Sequence, residues 1–241
     1  MAFKSIKYNE SDIIITGGSE AGITPLSIAG FMNMKALSTE TDINNASIPF
    51  DLNRNGFVMG EGAGILVLES LKSALKRNAK IYAEITGYGS TADAFHLTSP
   101  APYGTGAKEA MKIAIDDAKI NLNDIDYINA HGTSTFYNDL HETQAIKSLF
   151  KDHAYNLSIS STKSYVGHLL GATGGVEAIA TIKSINNSYV TATINYKTKD
   201  PDCDLDYTPN NGVEKNINHA ISNNFGFGGH NASIVISKFK D

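Results

Sequence analysis

The 241-residue sequence has very little cysteine, a single residue at position 203, and no long hydrophobic run. One cysteine cannot form an internal disulfide framework, so we expect a cytoplasmic protein. Without about 18 consecutive apolar residues the chain cannot form a membrane-spanning helix, and its first residues lack the apolar core of a secretory signal. The net charge of -5 argues against general nucleic-acid binding, although an acidic protein can carry a local basic patch.

The single cysteine lies in the segment DPDCDLDY, where four aspartates surround Cys203. A nucleophilic cysteine needs its thiolate favoured by a cation, a histidine or a helix N-terminus. Negative neighbours do the opposite and raise the pKa of the thiol. The sequence therefore predicts that Cys203 has a structural role.

Short apolar runs bounded by Gly, Asn and Asp alternate with amphipathic helical stretches, which is typical of a layered α/β fold. Strands are predicted at 12–18, 81–89, 126–130 and 157–161, with a strand, a glycine bend and a second strand within 57–70. Helices are predicted at 1–8, 70–77, 107–118 and 169–185, and another beginning at a capping box formed by Asp139 and Glu142. The segments INHAISNN and ASIVIS are predicted to pair as antiparallel strands across a glycine turn.

Glycine-rich stretches do not match nucleotide-binding motifs. GEGAG precedes a strand, whereas a phosphate-binding loop leads into a helix N-terminus. FGFGGHN lacks the lysine of a P-loop, and GGSEA has Ala21 where a nucleophile elbow needs glycine. The glycines of GEGAG and GGSEA are interpreted as tight backbone turns.

Two histidine-containing motifs, NAHGTST and SSTKSYVGHLLGATGG, indicate an active site. His131 follows a buried apolar strand, at the sheet edge where open α/β folds bind ligands. Lys163 ends a predicted strand, and His168 precedes a helix whose N-terminus disfavours imidazolium. Glu177, in that helix, is expected to pair with Lys163. Two neutral histidines, a lysine and a glycine-rich turn predict a site that stabilises an enolate or an oxyanion.

NAHGTST, SSTKSYVGHLLGA and NNFGFGGHN, in this order, resemble the C-terminal signatures of the β-ketoacyl-acyl-carrier-protein synthases, condensing enzymes of the thiolase fold. The similarity includes GGSEAGITPLSIAGF, ALSTE, RNGFVMGEGAGILVLES and HLTSPAP, so it extends over essentially the whole chain. The resemblance implies an incomplete thiolase-like αβαβα fold, with the tail of the N-terminal half at 1–80 and the C-terminal half at 81–241. It implies no metal and no dissociable cofactor.

The family resemblance also implies a decarboxylative Claisen condensation in fatty acid biosynthesis, with acyl and malonyl thioesters delivered by acyl carrier protein. His131 and His168 resemble the histidines that stabilise the malonyl enolate, and Lys163 resembles the supporting lysine, held by Glu177. Phe227 resembles a gating phenylalanine whose backbone N–H joins an oxyanion hole. The resemblance also matches Lys35 to a position that contacts the carrier protein. It further implies a pantetheine tunnel lined by Thr98, Ser99, Thr133 and Thr135.

The sequence departs from the family pattern at Phe136, where proline usually follows HGTST, and in its lack of a nucleophilic cysteine. In the family that cysteine precedes the DIIITGG strand, and residues 1–8 match only the second half of its helix. We therefore expect the chain alone not to condense acyl groups and to need a companion N-terminal half. Full-length relatives are expected to be homodimers.

Other interpretations remain open: a non-condensing, chain-length-type partner subunit, or one non-catalytic piece of a split gene. A degradative thiolase is disfavoured because NNFGFGGHN has no cysteine.

Overall fold

A computed structural model describes residues 1–240, which form eight helices and nine strands. The helices are α1 (Ala2–Lys7), α2 (Pro25–Asn33), α3 (Ile43–Ala46), α4 (Leu71–Lys76), α5 (Thr105–Ala118), α6 (Phe136–Phe150), α7 (Lys163–Val166) and α8 (Thr173–Asn187). The strands are β1 (Ile13–Glu20), β2 (Gly62–Glu69), β3 (Glu84–Ala92), β4 (Tyr127–Asn129), β5 (Ser158–Ser160), β6 (Tyr189–Val190), β7 (Val213–Glu214), β8 (His219–Gly226) and β9 (His230–Ser237).

The main sheet has five strands in the order β3-β9-β8-β4-β5. Strands β3, β9 and β8 pair antiparallel, whereas β4 lies parallel to both β8 and β5. The parallel pairs place the carboxyl ends of β4, β5 and β8 at one edge of the sheet. The segments that follow these strands contain the two histidine motifs and the last glycine-rich turn.

Two apolar cores lie on opposite faces of the main sheet because successive strand residues point to opposite faces. Ile128 belongs to the core shared with α5 and α6, whereas its neighbour Tyr127 belongs to the core shared with α8. Helix α8 also packs against a second sheet, the antiparallel pair β1-β2. This packing is tight, since a Cβ atom at Gly64 would lie 2.4 Å from the backbone nitrogen of Val176. The order helices, sheet, helix, sheet is the layered α/β arrangement that the sequence predicted.

The outer face of the β1-β2 sheet carries apolar side chains that face solvent. Ile15 and Val67 are cross-strand neighbours and are 74% and 62% exposed. Among residues 1–240 no helix combines the length and apolar character needed to cross a membrane.

Most predicted elements are present, but several boundaries were wrong. Only one strand, β2, forms within 57–70; Phe57 and Met59 make isolated bridges instead, because this backbone binds neighbouring loops. Strand β3 begins at Glu84, three residues later than predicted, and α8 begins at Thr173, after a short 3-10 turn.

The predicted capping box is also wrong. Helix α6 begins at Phe136, so Asp139 and Glu142 lie inside it, fully buried. Their carboxylates do not cap the helix, because they accept hydrogen bonds from other segments, including the backbone N–H of Phe50 at 2.8 Å from Asp139. Lys163 is the first residue of α7 and does not end a strand, since β5 ends at Ser160. The division of the chain into halves at residue 80 stays a prediction.

Candidate active site

The two histidine motifs and the last glycine-rich turn meet at a cavity of about 770 Å³. His131 and His168 both line it, together with Phe227 from the turn between β8 and β9. The topology explains this convergence, because the segments after β4, β5 and β8 all leave the same edge of the main sheet. Residues distant in sequence therefore share one pocket.

The buried carboxylate of Glu142 accepts hydrogen bonds from the backbone of the turn that contains His131. Glu142 Oε1 accepts the backbone N–H of His131 at 2.9 Å, and Oε2 accepts that of Gly132 at 2.8 Å. A third hydrogen bond, from Asn223 Nδ2 at 3.2 Å, fixes the carboxylate against β8. Burial raises the pKa of Glu142 to about 7, although these hydrogen bonds oppose the shift. Glu142 thus fixes the backbone that carries His131.

His168 is held by the irregular segment that had been predicted as a strand. Its backbone N–H donates to the Val58 carbonyl at 2.7 Å, and its carbonyl accepts the N–H of Gly60 at 2.9 Å. The ring atom Nδ1 accepts the backbone N–H of Leu170 at 3.1 Å. Because Nδ1 must keep its lone pair for this bond, the neutral ring carries its proton on Nε2. His168 is therefore a fixed N–H donor.

The imidazole rings of His131 and His168 are nearly perpendicular, with centroids 5.3 Å apart. Burial, with the charge of Lys163, lowers the pKa of His168 to about 3. Burial, Lys163 and His168 together hold the pKa of His131 well below its ordinary value. Both rings are neutral at physiological pH. The start of α8 lies five residues after His168, so burial, and not that helix N-terminus, is the main cause.

Lys163 and Glu177 form a buried ion pair close to the histidines. Lys163 Nζ lies 2.5 Å from Glu177 Oε1, and both side chains are 2% exposed. Glu177 Oε2 also accepts a hydrogen bond from Asn224 Nδ2 at 3.0 Å. Burial raises the pKa of Glu177, while Lys163 acts in the opposite direction. The predicted pairing of Lys163 with Glu177 is present.

Aromatic rings surround the histidine pair. Phe225 meets His131 edge-on at 5.7 Å and Phe57 meets His168 at 5.2 Å, measured between ring centroids. Phe227 is 44% exposed and lies 6.4 Å from Phe31, which also lines the cavity. Phe225 and Phe227 both line the cavity, so both rings can contact a ligand.

The residues matched to a pantetheine tunnel all line the same cavity. The hydroxyls of Thr133 and Thr135 are hydrogen-bonded to each other at 2.8 Å. Thr98 and Ser99 lie on a loop whose backbone N–H groups both donate to His96 Nδ1 at 3.1 Å. Lys35, also a lining residue, is exposed at the rim.

Cys203 does not line this cavity but is fully buried in the core shared with α5 and α6. Its pKa is raised to about 12, chiefly by burial, with Asp139 and Asp200 adding to the shift and Arg54 opposing it. The predicted rise in the pKa of the Cys203 thiol was correct. The predicted cause was incomplete, because burial raises this pKa more than the neighbouring aspartates do. Such a thiol is a poor nucleophile.

Sequence reasoning missed Glu142 and Phe225 as parts of the site. Glu142 was interpreted as a helix cap because it follows Asp139 at the spacing of a capping box. A carboxylate at helical spacing from the apolar Ile146 was the available signal that Glu142 has a buried partner. Nothing in the local pattern connects Phe225 to His131.

Comparison with a solved structure defines the class of the protein. A ketosynthase bound to the hexaketide, in complex with its type II PKS acyl-carrier protein, is 42% identical, with a TM-score of 0.97 over 99% of this chain and 59% of its own. The fold is therefore the thiolase-like α/β fold of the ketosynthases. Models of the beta-ketoacyl synthase N-terminal and C-terminal domains match residues 1–74 and 82–197. The chain belongs to the beta-ketoacyl synthase family.

Two curated relatives carry the same name. The 3-oxoacyl-[acyl-carrier-protein] synthase 2 of Staphylococcus aureus (strain COL) is 56% identical over 239 residues, and that of Synechocystis is 51% identical over 240 residues. Each comparison covers 99% of this chain and 58% of the relative. The chain thus spans just over half the length of these relatives.

Proposed function

We propose that this chain supplies the decarboxylation and enolate-stabilising part of a 3-oxoacyl-acyl-carrier-protein synthase of fatty acid synthesis. The observation that carries the proposal is the pair of neutral, perpendicular imidazoles of His131 and His168 in a cavity backed by the Lys163–Glu177 ion pair. Fixed N–H donors in a pocket largely shielded from water stabilise an oxygen that gains negative charge.

In the proposed reaction the thioester carbonyl of a malonyl group accepts hydrogen bonds from His168 Nε2 and from the ring of His131. The bond from the α-carbon to the carboxylate breaks, carbon dioxide leaves, and the electron pair forms an enolate that both rings stabilise. The enolate carbon then attacks the carbonyl of an acyl thioester, and the thiolate of that thioester leaves. Neutral imidazoles suit this role, because protonation of the ring would remove the fixed tautomer of His168.

The acyl group would be held on a cysteine other than Cys203, whose thiol is buried and disfavours ionisation. We propose that this cysteine belongs to the part of the enzyme that corresponds to the remaining length of the relatives. A non-condensing partner subunit would not need His131, His168 and Lys163 together, so their arrangement favours the condensing enzyme.

A chimera tests this proposal. The corresponding segment of the S. aureus relative is replaced with this chain, and β-ketoacyl product is measured by mass spectrometry with acyl and malonyl carrier protein. We expect turnover by the chimera and none by the chain alone. Replacing one histidine, His168→Ala, should lower the decarboxylation rate about 100-fold or more, as for loss of one oxyanion donor. Turnover by the isolated chain, acylation of Cys203, or undiminished decarboxylation by the variant would each contradict the proposal.

The proposed partner is an acyl carrier protein, as in the ketosynthase complex described above. Lys35, exposed at the cavity rim, is the proposed contact with its acidic surface. The variant Lys35→Glu in the chimera should slow turnover of carrier-protein substrates more at low salt than at high salt, because exposed charges act through screened steering. Lys72→Glu, an exposed charge reversal on α4, is the matched control. Equal effects of the two variants would argue against a docking role for Lys35.

A further inference from the structure

The segment that follows β4 rises from the floor of the cavity to its rim. His131 is 4% exposed and Thr133 is 6% exposed, whereas Phe136 is 52% and Tyr137 is 58% exposed. All four residues line the cavity. A ligand that extends from the histidines to solvent along this segment therefore passes two threonine hydroxyls and then an aromatic rim.

The ring of Phe136 is held in place before any ligand binds. The guanidinium carbon of Arg54 lies 5.3 Å from its centroid, and the ring of Tyr137 meets it edge-on at 5.3 Å. Arg54 is itself immobilised, because its fully buried side chain donates to Asp200 at 2.6 Å and to the Phe136 carbonyl at 3.2 Å. An aromatic ring fixed in this way loses little conformational entropy when a ligand covers it.

We infer that Phe136 is a specificity-determining residue that packs against the apolar distal part of a pantetheine-type thioester arm. This inference rests on the proposed function, since it requires the thioester carbonyl to lie at His131 and His168. The amide groups of the arm would then lie beside the hydroxyls of Thr133 and Thr135. The branched, methyl-bearing carbon near the far end of the arm would reach the exposed half of the Phe136 ring.

Two thioesters with the same reactive end differ in whether they can contact Phe136. S-acetylpantetheine carries the distal branched segment, whereas S-acetyl-N-acetylcysteamine ends after the first amide. In the proposed placement only the longer molecule extends as far as the rim. Burying about 40 Å² of the exposed face of the Phe136 ring, at about 25 cal/mol per Å², corresponds to about 1 kcal/mol, or about a fivefold change in Kd.

Two variants remove the ring. Phe136→Ala truncates the side chain, and Phe136→Pro uses a residue that the first position of a helix tolerates. The backbone suits proline, because Thr135 before it is extended, with φ -96° and ψ 144°. Tyr165→Ala is the matched control, since Tyr165 is 53% exposed and does not line the cavity.

The experiment measures the Kd of both thioesters for the 241-residue chain by ligand-observed NMR, after circular dichroism has shown that each variant is folded. We expect both Phe136 variants to raise the Kd of S-acetylpantetheine about fivefold and to leave that of S-acetyl-N-acetylcysteamine unchanged, with no effect of Tyr165→Ala. An unchanged Kd for the longer thioester, or equal weakening of both, would overturn the role of Phe136 alone. Failure of the unsubstituted chain to bind either thioester would contradict the proposed function as well.

Discussion

The buried ion pair beneath the histidines gives a sharp test of the site. In the variant Lys163→Met the cation is replaced by an apolar side chain of similar length. Glu177, which is 2% exposed in the unsubstituted protein, then loses its ion pair and is expected to keep the hydrogen bond from Asn224 Nδ2, which is 3.0 Å long with Lys163 present. We expect the variant to be destabilised strongly, because an uncompensated charge remains in a medium of low dielectric constant.

The expected loss in the free energy of unfolding is about 3–5 kcal/mol near pH 8, the range for removing one partner of a buried pair. The double variant Lys163→Met/Glu177→Gln carries no charge and can keep a hydrogen bond to Asn224. It should therefore regain at least about 2 kcal/mol relative to Lys163→Met. This recovery separates the effect of the orphaned carboxylate from the effect of altered packing.

The loss caused by Lys163→Met should also depend on pH. Burial raises the folded-state pKa of Glu177, and Lys163 is the largest influence opposing it. Without Lys163 the folded-state pKa rises further above the unfolded value of about 4.3. Since the folded state then binds the proton more tightly, stability is retained at low pH and lost as pH rises through the folded-state pKa. The deficit relative to the wild type should be smaller near pH 5 than near pH 8.

Urea unfolding followed by circular dichroism measures these quantities, and tyrosine fluorescence is a second probe because the chain has no tryptophan. The wild type and both variants are compared at each pH. A deficit below about 1 kcal/mol near pH 8, or one that does not change with pH, would refute the interpretation of Lys163 and Glu177 as a buried, mutually dependent pair.

Three further predictions follow from the same structure. His168 should remain neutral in NMR titrations until the pH approaches about 3. The pKa of His168 should rise in Lys163→Met, because the charge of Lys163 is the second cause, after burial, of the lowered pKa. Titration of His168 near the ordinary histidine pKa in the wild type would contradict this prediction. Gly89→Ala should destabilise the protein by about 1–3 kcal/mol or more in urea melts, because the new Cβ would lie 1.9 Å from a carbonyl oxygen of α5. The control Gly30→Ala, in helix α2 with nothing within 4 Å, should be neutral or slightly stabilising. Cys203 should resist iodoacetamide in the native protein and react in urea, as judged by mass spectrometry; rapid native alkylation would show that the thiol is neither buried nor held protonated.

The sequence predicted elements whose signal is local. The apolar spacing of α5 placed Ala110, Met111 and Ala114 on one face, and all three are fully buried. The side-chain oxygen of Ser70, the first residue of the helix predicted at 70–77, accepts the backbone N–H of Ser73 at 3.3 Å. Periodicity and caps depend on residues within one or two turns, so the sequence determines them directly.

Motifs also located the main candidate site residues. His131, Lys163, His168 and Glu177 were identified from their spacing and from family resemblance, and the structure brings them to one cavity and its support. What the motifs could not supply was the environment of each group. The pKa of His168 depends on burial and on Lys163, and these follow from packing between segments, not from its immediate neighbours.

Tertiary structure alone decided how the site is held. The segment 57–70 contains enough apolar residues for two strands, yet its first half binds the backbone of His168, because that loop offers it hydrogen-bond partners. Glu142 satisfies a capping pattern, but the buried N–H groups of His131 and Gly132 need an acceptor and take its carboxylate. The sequence by itself predicted most of the elements, the family and the histidines of this protein. The fold determined which buried polar groups pair at the sheet edge. Buried donors need a hydrogen-bond acceptor, and the topology decides which acceptors lie within reach.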